Sequence, residues 1–397
     1  MEKLSDLLKK YKKIYNSGKN KENKSYFKRT KSIIIDKFRG VPKDVGEIDN
    51  KVPFVYWLSL DLWRDIFNIN IERFYKDPLY YLENWLKIKI FYFENFNDCN
   101  CFENFIPLWL GEGFEATFFG CKLKYSDDKE PAVDRNHILI REHKDLSKLR
   151  IPDFNNNESM NLSIKFYKDI SKVVNDYGID VGFFDWHYGP TALCNYIRGF
   201  ENISLDFLLN KEFVRKLMEF VVASRIKWSK ERDKFLGRKR REGGLISNDD
   251  VCTPNISPDI YSELIFPYEL KLYKFYGGFN YYHDCGPIDP FLEKISGFRN
   301  IDLIHCGPFS DYKKVGKIFN NKAPIELHLR PVEDFVYCRD ADFRNRLLEI
   351  KEFYSKIGVK SYCIRLTSYS HPVLSVSESM TKLKRWCDIS NEILLDK

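Results

Sequence analysis

The chain has 397 residues, with 44% hydrophobic and 16% aromatic content, enough to bury a core and to exclude global disorder. Its 64 Lys and Arg against 57 Asp and Glu leave a formal net charge of +7, and the absence of an 18-residue apolar run argues against a transmembrane helix. Ten cysteines, behind a start ("MEKLSDLLKKYKK") with no apolar signal core, point to a reduced, cytoplasmic protein whose cysteines are ligand or core candidates rather than a disulfide framework.

Much of the basic surplus lies in residues 9–31, "KKYKKIYNSGKNKENKSYFKRTK". It reads as a solvated, partly helical extension over residues 1–50, and since no recognition motif accompanies the charge, no nucleic-acid partner is expected. Beyond it, apolar runs of strand length recur: 52–58, 105–111, 181–187, 244–249, 279–285, 301–307, 323–330 and 360–367. They are short, aromatic or β-branched, and apolar enough to be buried on both faces. Helical patterns separate several of them. Asn210 is placed to cap the helix that follows it, Ser257 precedes Pro258 as an N-cap precedes a first-turn proline, and Gly358 is a C-terminal stop. Eight strands with helices between them, and no GxGxxG fingerprint, predict an α/β chain. Its fold is a single (β/α)8 TIM barrel over residues 51–397, with the N-terminal helical extension before it. The stretch from 112 to 180 is the longest gap in this layout.

Barrel chemistry is placed at the C-terminal ends of the strands. Of the seven histidines, His187, His283, His305, His328 and His371 fall at or just beyond the ends of the predicted strands, as do Asp185, Asp249, Asp250 and Glu326. Residues i and i+2 of a strand share a face, so His283 and Cys285 of "NYYHDCGPID" can both point inward at the mouth. Imidazole and thiolate are zinc ligands, and three protein ligands with one open position define a catalytic zinc. Cys363 is the first choice for the third ligand, with Cys306, Glu326 and His328 in competition; His305 and Cys306 are adjacent, so a regular strand turns only one of them inward. Such a zinc lowers the pKa of a bound thiol, whose thiolate attacks a methyl carbon, or polarises a methoxy or hydroxyl oxygen so that the methyl group leaves.

Three blocks resemble one known family. "GPTALCNYIRGFENISLDFLLNKEFVRKLMEF" (189–220), "ISNDDVCTPNISPDIYSELIFPY" (246–268) and "HDCGPIDPFLEKI" (283–295) are similar to the uroporphyrinogen decarboxylase-like superfamily. The end of the first predicted strand and its exit read "VYWLSLDLWRD", where true decarboxylases carry an arginine-rich R-Q-A-G-R motif. The H-x-C-G block instead resembles the zinc-dependent, corrinoid-linked methyltransferases, such as the methylcobamide:coenzyme M enzymes. That resemblance implies zinc on His283 and Cys285, with Cys363 in the approximate position of a later cysteine ligand. It also implies a corrinoid carried by a separate protein, because no D-x-H-x-x-G segment is present, and a small-molecule methyl donor or acceptor at the mouth. Gly189 and Pro190 are expected at a strand exit where backbone approaches the cofactor, with His187 beside them; Asp249 and Glu115 are expected to serve the chemistry. Two other readings stay open. One is a metal-free decarboxylase acting on a tetrapyrrole or other carboxylated substrate, for which Arg330 and Arg365 are the available cations; the other is a non-catalytic member that binds a corrinoid or a partner protein.

Overall fold

The structure is a computed structural model that describes residues 3–27, 51–127, 129–238, 243–320, 322–369 and 373–397. Ten strands follow in chain order: β1 (Phe54–Leu58), β2 (Phe105–Ile106), β3 (Leu123–Lys124), β4 (Ala132–Val133), β5 (Asp180–Val181), β6 (Gly244–Ser247), β7 (Phe279–His283), β8 (Ile304–Cys306), β9 (Ile325–Leu329) and β10 (Tyr362–Tyr369). Six of them form one parallel sheet in the order β1-β10-β9-β8-β7-β6, and β2 pairs in parallel with β5. A parallel bridge between Tyr188 and Ser247 joins the chain beyond β5 to β6. These eight parallel strands, one for each predicted run, make the (β/α)8 barrel. All four residues of β6 and all five of β9 are buried, as strands covered on both faces must be.

The gap from 112 to 180 is filled by a 3-10 turn (Phe114–Phe119), the antiparallel pair β3–β4, a second 3-10 turn (His143–Lys148) and the helix Glu158–Val174. The predicted strand 181–187 is regular only at its start. Beyond Val181, side chains supplement a sparse ladder: Arg225, fully buried, donates to the carbonyls of Trp186, Tyr188 and Leu245, and Glu115 Oε1 accepts the N–H groups of His187 and Tyr188 at 2.9 and 3.0 Å. Buried backbone polar groups must be paired, and here two side chains from outside the sheet supply the pairing.

The helices begin and end largely where local chemistry directs. Ser257 accepts the Ile260 N–H before Pro258, and Gly358, at φ 76°, follows the helix Asp340–Lys356. The helix running through Pro267 widens to a π turn over Tyr261–Ile265, since proline offers no N–H to the carbonyl four residues back. Asn210 does precede the helix Lys211–Phe235 but makes no side-chain cap; its Nδ2 donates to Asp206 instead. At the N-terminus, helix Leu4–Tyr15 buries Leu7, Leu8, Tyr11 and Ile14 in the main core ahead of helix Gly18–Ser25, and the Tyr11 hydroxyl donates to the Glu103 carbonyl at 2.6 Å. As far as Phe27 the lysine-rich segment is thus solvated on one face only, with Asn20 and Asn23 also buried against the loop around residues 98–102. Residues 28–50 of the expected extension, and His371, lie outside the described residues. Among the described residues no helix is long and apolar enough to cross a membrane.

Candidate metal centre

Parallel register determines which side chains meet inside the barrel. Ser247 pairs with His283 across β6–β7, His305 with Glu326 across β8–β9, and Glu326 and His328 with Cys363 and Arg365 across β9–β10. Neighbours in register share a face, so His283, His305, Glu326, His328 and Arg365 are stacked toward one interior. His305, not Cys306, is the inward residue of β8. The His283 and His305 rings lie 4.0 Å apart and nearly parallel, and the His305 and His328 rings are 4.0 Å apart edge to face.

At the mouth, Cys285 Sγ is 3.3 Å from His283 Nε2. β7 ends at His283, so Cys285 belongs to the loop beyond the strand rather than to its edge. What turns it back is Asp249 at the end of β6, whose Oδ1 accepts the Cys285 N–H at 2.9 Å and lies 3.2 Å from His283 Nε2. Gly307 is the other constraint: a Cβ there would stand 2.5 Å from the Asp284 carbonyl oxygen, so only glycine lets the chain after β8 pass beneath this loop.

Donor atoms of His283, Cys285 and His305 all lie within 4.8 Å of one another, and so do those of His305, Glu326 and His328. Cys363 is buried on β10 beside Glu326 and belongs to neither group. Two imidazoles and a thiol suit a borderline-soft cation such as zinc. His283 and Cys285 are half-buried, whereas His305, Glu326 and His328 are buried beneath them, which leaves the upper donors facing the mouth. His305 Nδ1 accepts the Asp284 N–H at 3.2 Å, so ligation through that nitrogen would displace this bond. Burial, and after it the Asp249 and Asp284 carboxylates, push the Cys285 thiol well above its ordinary pKa. Burial opposes ionisation of Asp249 as well, but His283, the Cys285 N–H and the Ser247 hydroxyl hold its carboxyl below the usual range. Deeper in, burial pulls His328 down to about 4 and keeps it neutral near pH 7.

The remaining predicted residues lie on neighbouring elements. Glu115 is fully buried on the backbone of His187 and Tyr188, and the His187 ring lies 2.9 Å from the same carboxylate and 5.0 Å from Trp109. Pro190 opens the helix Pro190–Arg198, and Gly189 precedes it with its N–H donated to the Ser247 carbonyl at 2.7 Å. A Cβ on Gly189 would fall 1.8 Å from Asn248 Oδ1; this close approach serves packing between the β5 exit and β6. Asp185 faces the helical layer and pairs with Arg232. Arg365 Nε is 2.7 Å from Glu326 Oε1, and Arg330 Nε donates to the Pro308 carbonyl at 2.8 Å, so both cations considered for a carboxylated substrate are engaged within the protein. Sequence reasoning names His305 only as a mouth histidine and Arg365 only as a substrate cation, and it misses Tyr281. For Tyr281 the signal was available, since it stands two positions before His283 on the same strand.

Asn248 also anchors the end of β6 from outside, donating to the buried Glu269 carboxyl at 2.7 Å; Tyr261 donates to the same group at 2.9 Å. Burial raises the Glu269 pKa from 4.5 to about 7. The folded state therefore holds a proton that the unfolded chain releases, and the associated stability is present below pH 4.5 and lost as pH rises to about 7. Glu269→Gln keeps the site neutral. It is expected to lessen the fall of unfolding free energy between about pH 5 and 7 by up to about 1.4 kcal/mol per pH unit, read from urea titrations at several pH values. Glu130, also raised to about 7 by burial, should leave a residual slope.

The family model described as uroporphyrinogen decarboxylase (URO-D) matches residues 113–332. Among solved structures, a methyltransferase from Methanosarcina mazei superposes with a TM-score of 0.58 and 14% sequence identity, covering 87% of this chain and 94% of the other. At that identity the likeness is one of fold. No curated protein matches the chain.

Proposed function

The chain belongs to the uroporphyrinogen decarboxylase family, whose model spans more than half of it, and from that membership we propose a zinc-dependent methyltransferase. In this reading a methyl group passes between a corrinoid carried by a separate protein and a small-molecule thiol, methoxy compound or similar substrate at the barrel mouth. The observation that carries the reading is the approach of His283 Nε2 and Cys285 Sγ to 3.3 Å, with His305 as a third donor and the upper face turned to the mouth. The shared fold with a protein named as a methyltransferase supports it, and the engagement of Arg330 and Arg365 weighs against the decarboxylase alternative.

Bound zinc would supply Lewis acidity, lowering the pKa of a substrate thiol or polarising a substrate oxygen. The residues of the chain do the rest. His283 and Cys285 supply the mouth-facing ligands, and Asp249 holds the Cys285 backbone so that the thiol stays beside the imidazole. Glu115 orders His187 and Tyr188, which border the mouth from the β5 side. Beneath, the packed and buried lower tier leaves the mouth as the side from which a substrate can approach.

The test is zinc content of the purified, reconstituted chain together with methyl transfer from methylcobalamin to a panel of thiols. About one zinc per chain with transfer supports the proposal; a chain that stays metal-free under excess zinc refutes it. The third ligand is resolved by a pair of variants. His305→Ala is expected to weaken zinc binding at least about 100-fold in chelator competition, whereas Cys363→Ser retains it within about 3-fold. The reverse pattern would assign the third position to Cys363.

A further inference from the structure

The donor set rests on a buried tier whose hydrogen bonds have a direction. Glu326 is fully buried, with Arg365 Nε 2.7 Å from its Oε1, and the Tyr281 hydroxyl donates to its Oε2. A phenol has one proton. With that proton on Glu326, the Tyr281 oxygen can only accept, and the atom it faces at 3.0 Å is His283 Nδ1. Nδ1 must then carry hydrogen. Nε2, on the opposite side of the ring, is left toward Cys285 Sγ at 3.3 Å.

We propose that Tyr281, oriented by the Glu326–Arg365 pair, is a positioning residue that sets the tautomer and ring plane of His283, so that Nε2 and Cys285 Sγ are presented to one cation. Its consequence for zinc rests on the reading of His283 and Cys285 as ligands, but the hydrogen on Nδ1 does not. Strand geometry makes the chain possible: Tyr281 and His283 share a face of β7, and Glu326 and Arg365 stand on adjacent strands of the same wall. A metal-binding histidine commonly donates its second nitrogen to such a partner, and loss of that partner weakens binding about 10- to 100-fold. Here the acceptor is a phenol whose own proton is fixed by a buried ion pair. Glu326 and His328 are thereby assigned to support rather than to a second cation shared with His305, because the Arg365 guanidinium already occupies the charge of Glu326. Asp249 Oδ1 also lies 3.2 Å from Nε2, on the side of the ring that faces Cys285.

The test uses the full chain with 15N-labelled histidine, the His283 signals being identified by their loss in His283→Ala. In metal-free wild type, His283 Nδ1 is expected as a protonated, hydrogen-bonded nitrogen whose shift changes in Tyr281→Phe. The same variant is expected to bind zinc about 10- to 100-fold more weakly by chelator competition, with a cooperative melt. Glu326→Gln, which keeps the side-chain volume, should shift the Nδ1 signal and weaken zinc in the same direction, and it carries the test should Tyr281→Phe fail to fold. A neutral His283 with hydrogen on Nε2 and a bare Nδ1 overturns the proposal, whatever zinc does. Zinc binding at wild-type strength in Tyr281→Phe overturns the positioning role. Wild type that binds no zinc yet shows the bonded Nδ1–H refutes the zinc reading while upholding the tautomer.

Discussion

His283→Ala and Cys285→Ser are each expected to reduce bound zinc from about one per chain to less than roughly a tenth, measured by elemental analysis after reconstitution and dialysis, and to abolish methyl transfer with it. The reason is the small number of donors. His283 and Cys285 are the two half-buried members of their group, and removing either leaves one mouth-facing donor above a buried histidine. Glu326 and His328, the other donors grouped with His305, belong to the lower tier beside Arg365. Cys338→Ser, a half-buried cysteine whose thiol lies against the Arg339 carbonyl, is the control and should keep its zinc. Retention of zinc by both site variants would remove the centre from the mouth altogether.

Arg225→Ala is expected to destabilise the protein by about 4 kcal/mol or more, a value set by leaving three buried carbonyls without a donor, each at about 1–3 kcal/mol. Those carbonyls belong to Trp186, Tyr188 and Leu245, and Arg225 reaches Tyr276 as well. The damage should be local first. Where β5 gives way to irregular chain, the wall of the barrel is joined to β6 through the Tyr188–Ser247 bridge, the Ser247–His187 hydrogen bond and Arg225. Hydrogen exchange is the discriminating measurement: the amides of His187 and Ser247 should lose protection before those of β9. Uniform loss of protection would show that Arg225 contributes to the whole barrel rather than to this seam. Arg225→Lys, with one point charge in place of a planar fork, should recover only part of the stability.

Much of the barrel was legible in the chain because buried parallel strands announce themselves as short apolar runs. "APIELHLR" and "GLISND" contain β9 and β6, and the helix from Ser257 and the stop at Gly358 follow from proline, serine and glycine chemistry acting over a few residues. Strand parity also turns His283 inward, as the register has it, for side-chain alternation is a property of the backbone alone. Parity could not extend to Cys285, which lies beyond the last strand residue and owes its place to Asp249 and to the narrow passage at Gly307. Nor could it choose between His305 and Cys306: that depends on where β8 enters the register with β9, a match made across the 18 residues between the two strands. Asn210 shows the same limit at a helix start, where it makes no side-chain cap and its Nδ2 donates to Asp206.

The sequence by itself determined the eight buried runs, the helices between several of them, the polar residues at their C-terminal ends and the pairing of His283 with Cys285 on one stretch of chain. Each is a local matter of hydrophobic period, backbone parity or capping. Only the tertiary structure decided that His305 stands with that pair while Cys363 stands beside Glu326. It also decided that Glu115 serves the backbone of His187 and Tyr188, and that Tyr281, Glu326 and Arg365 form the tier beneath. Those outcomes depend on register and on which buried polar group finds which partner, and both are settled between strands far apart in the chain.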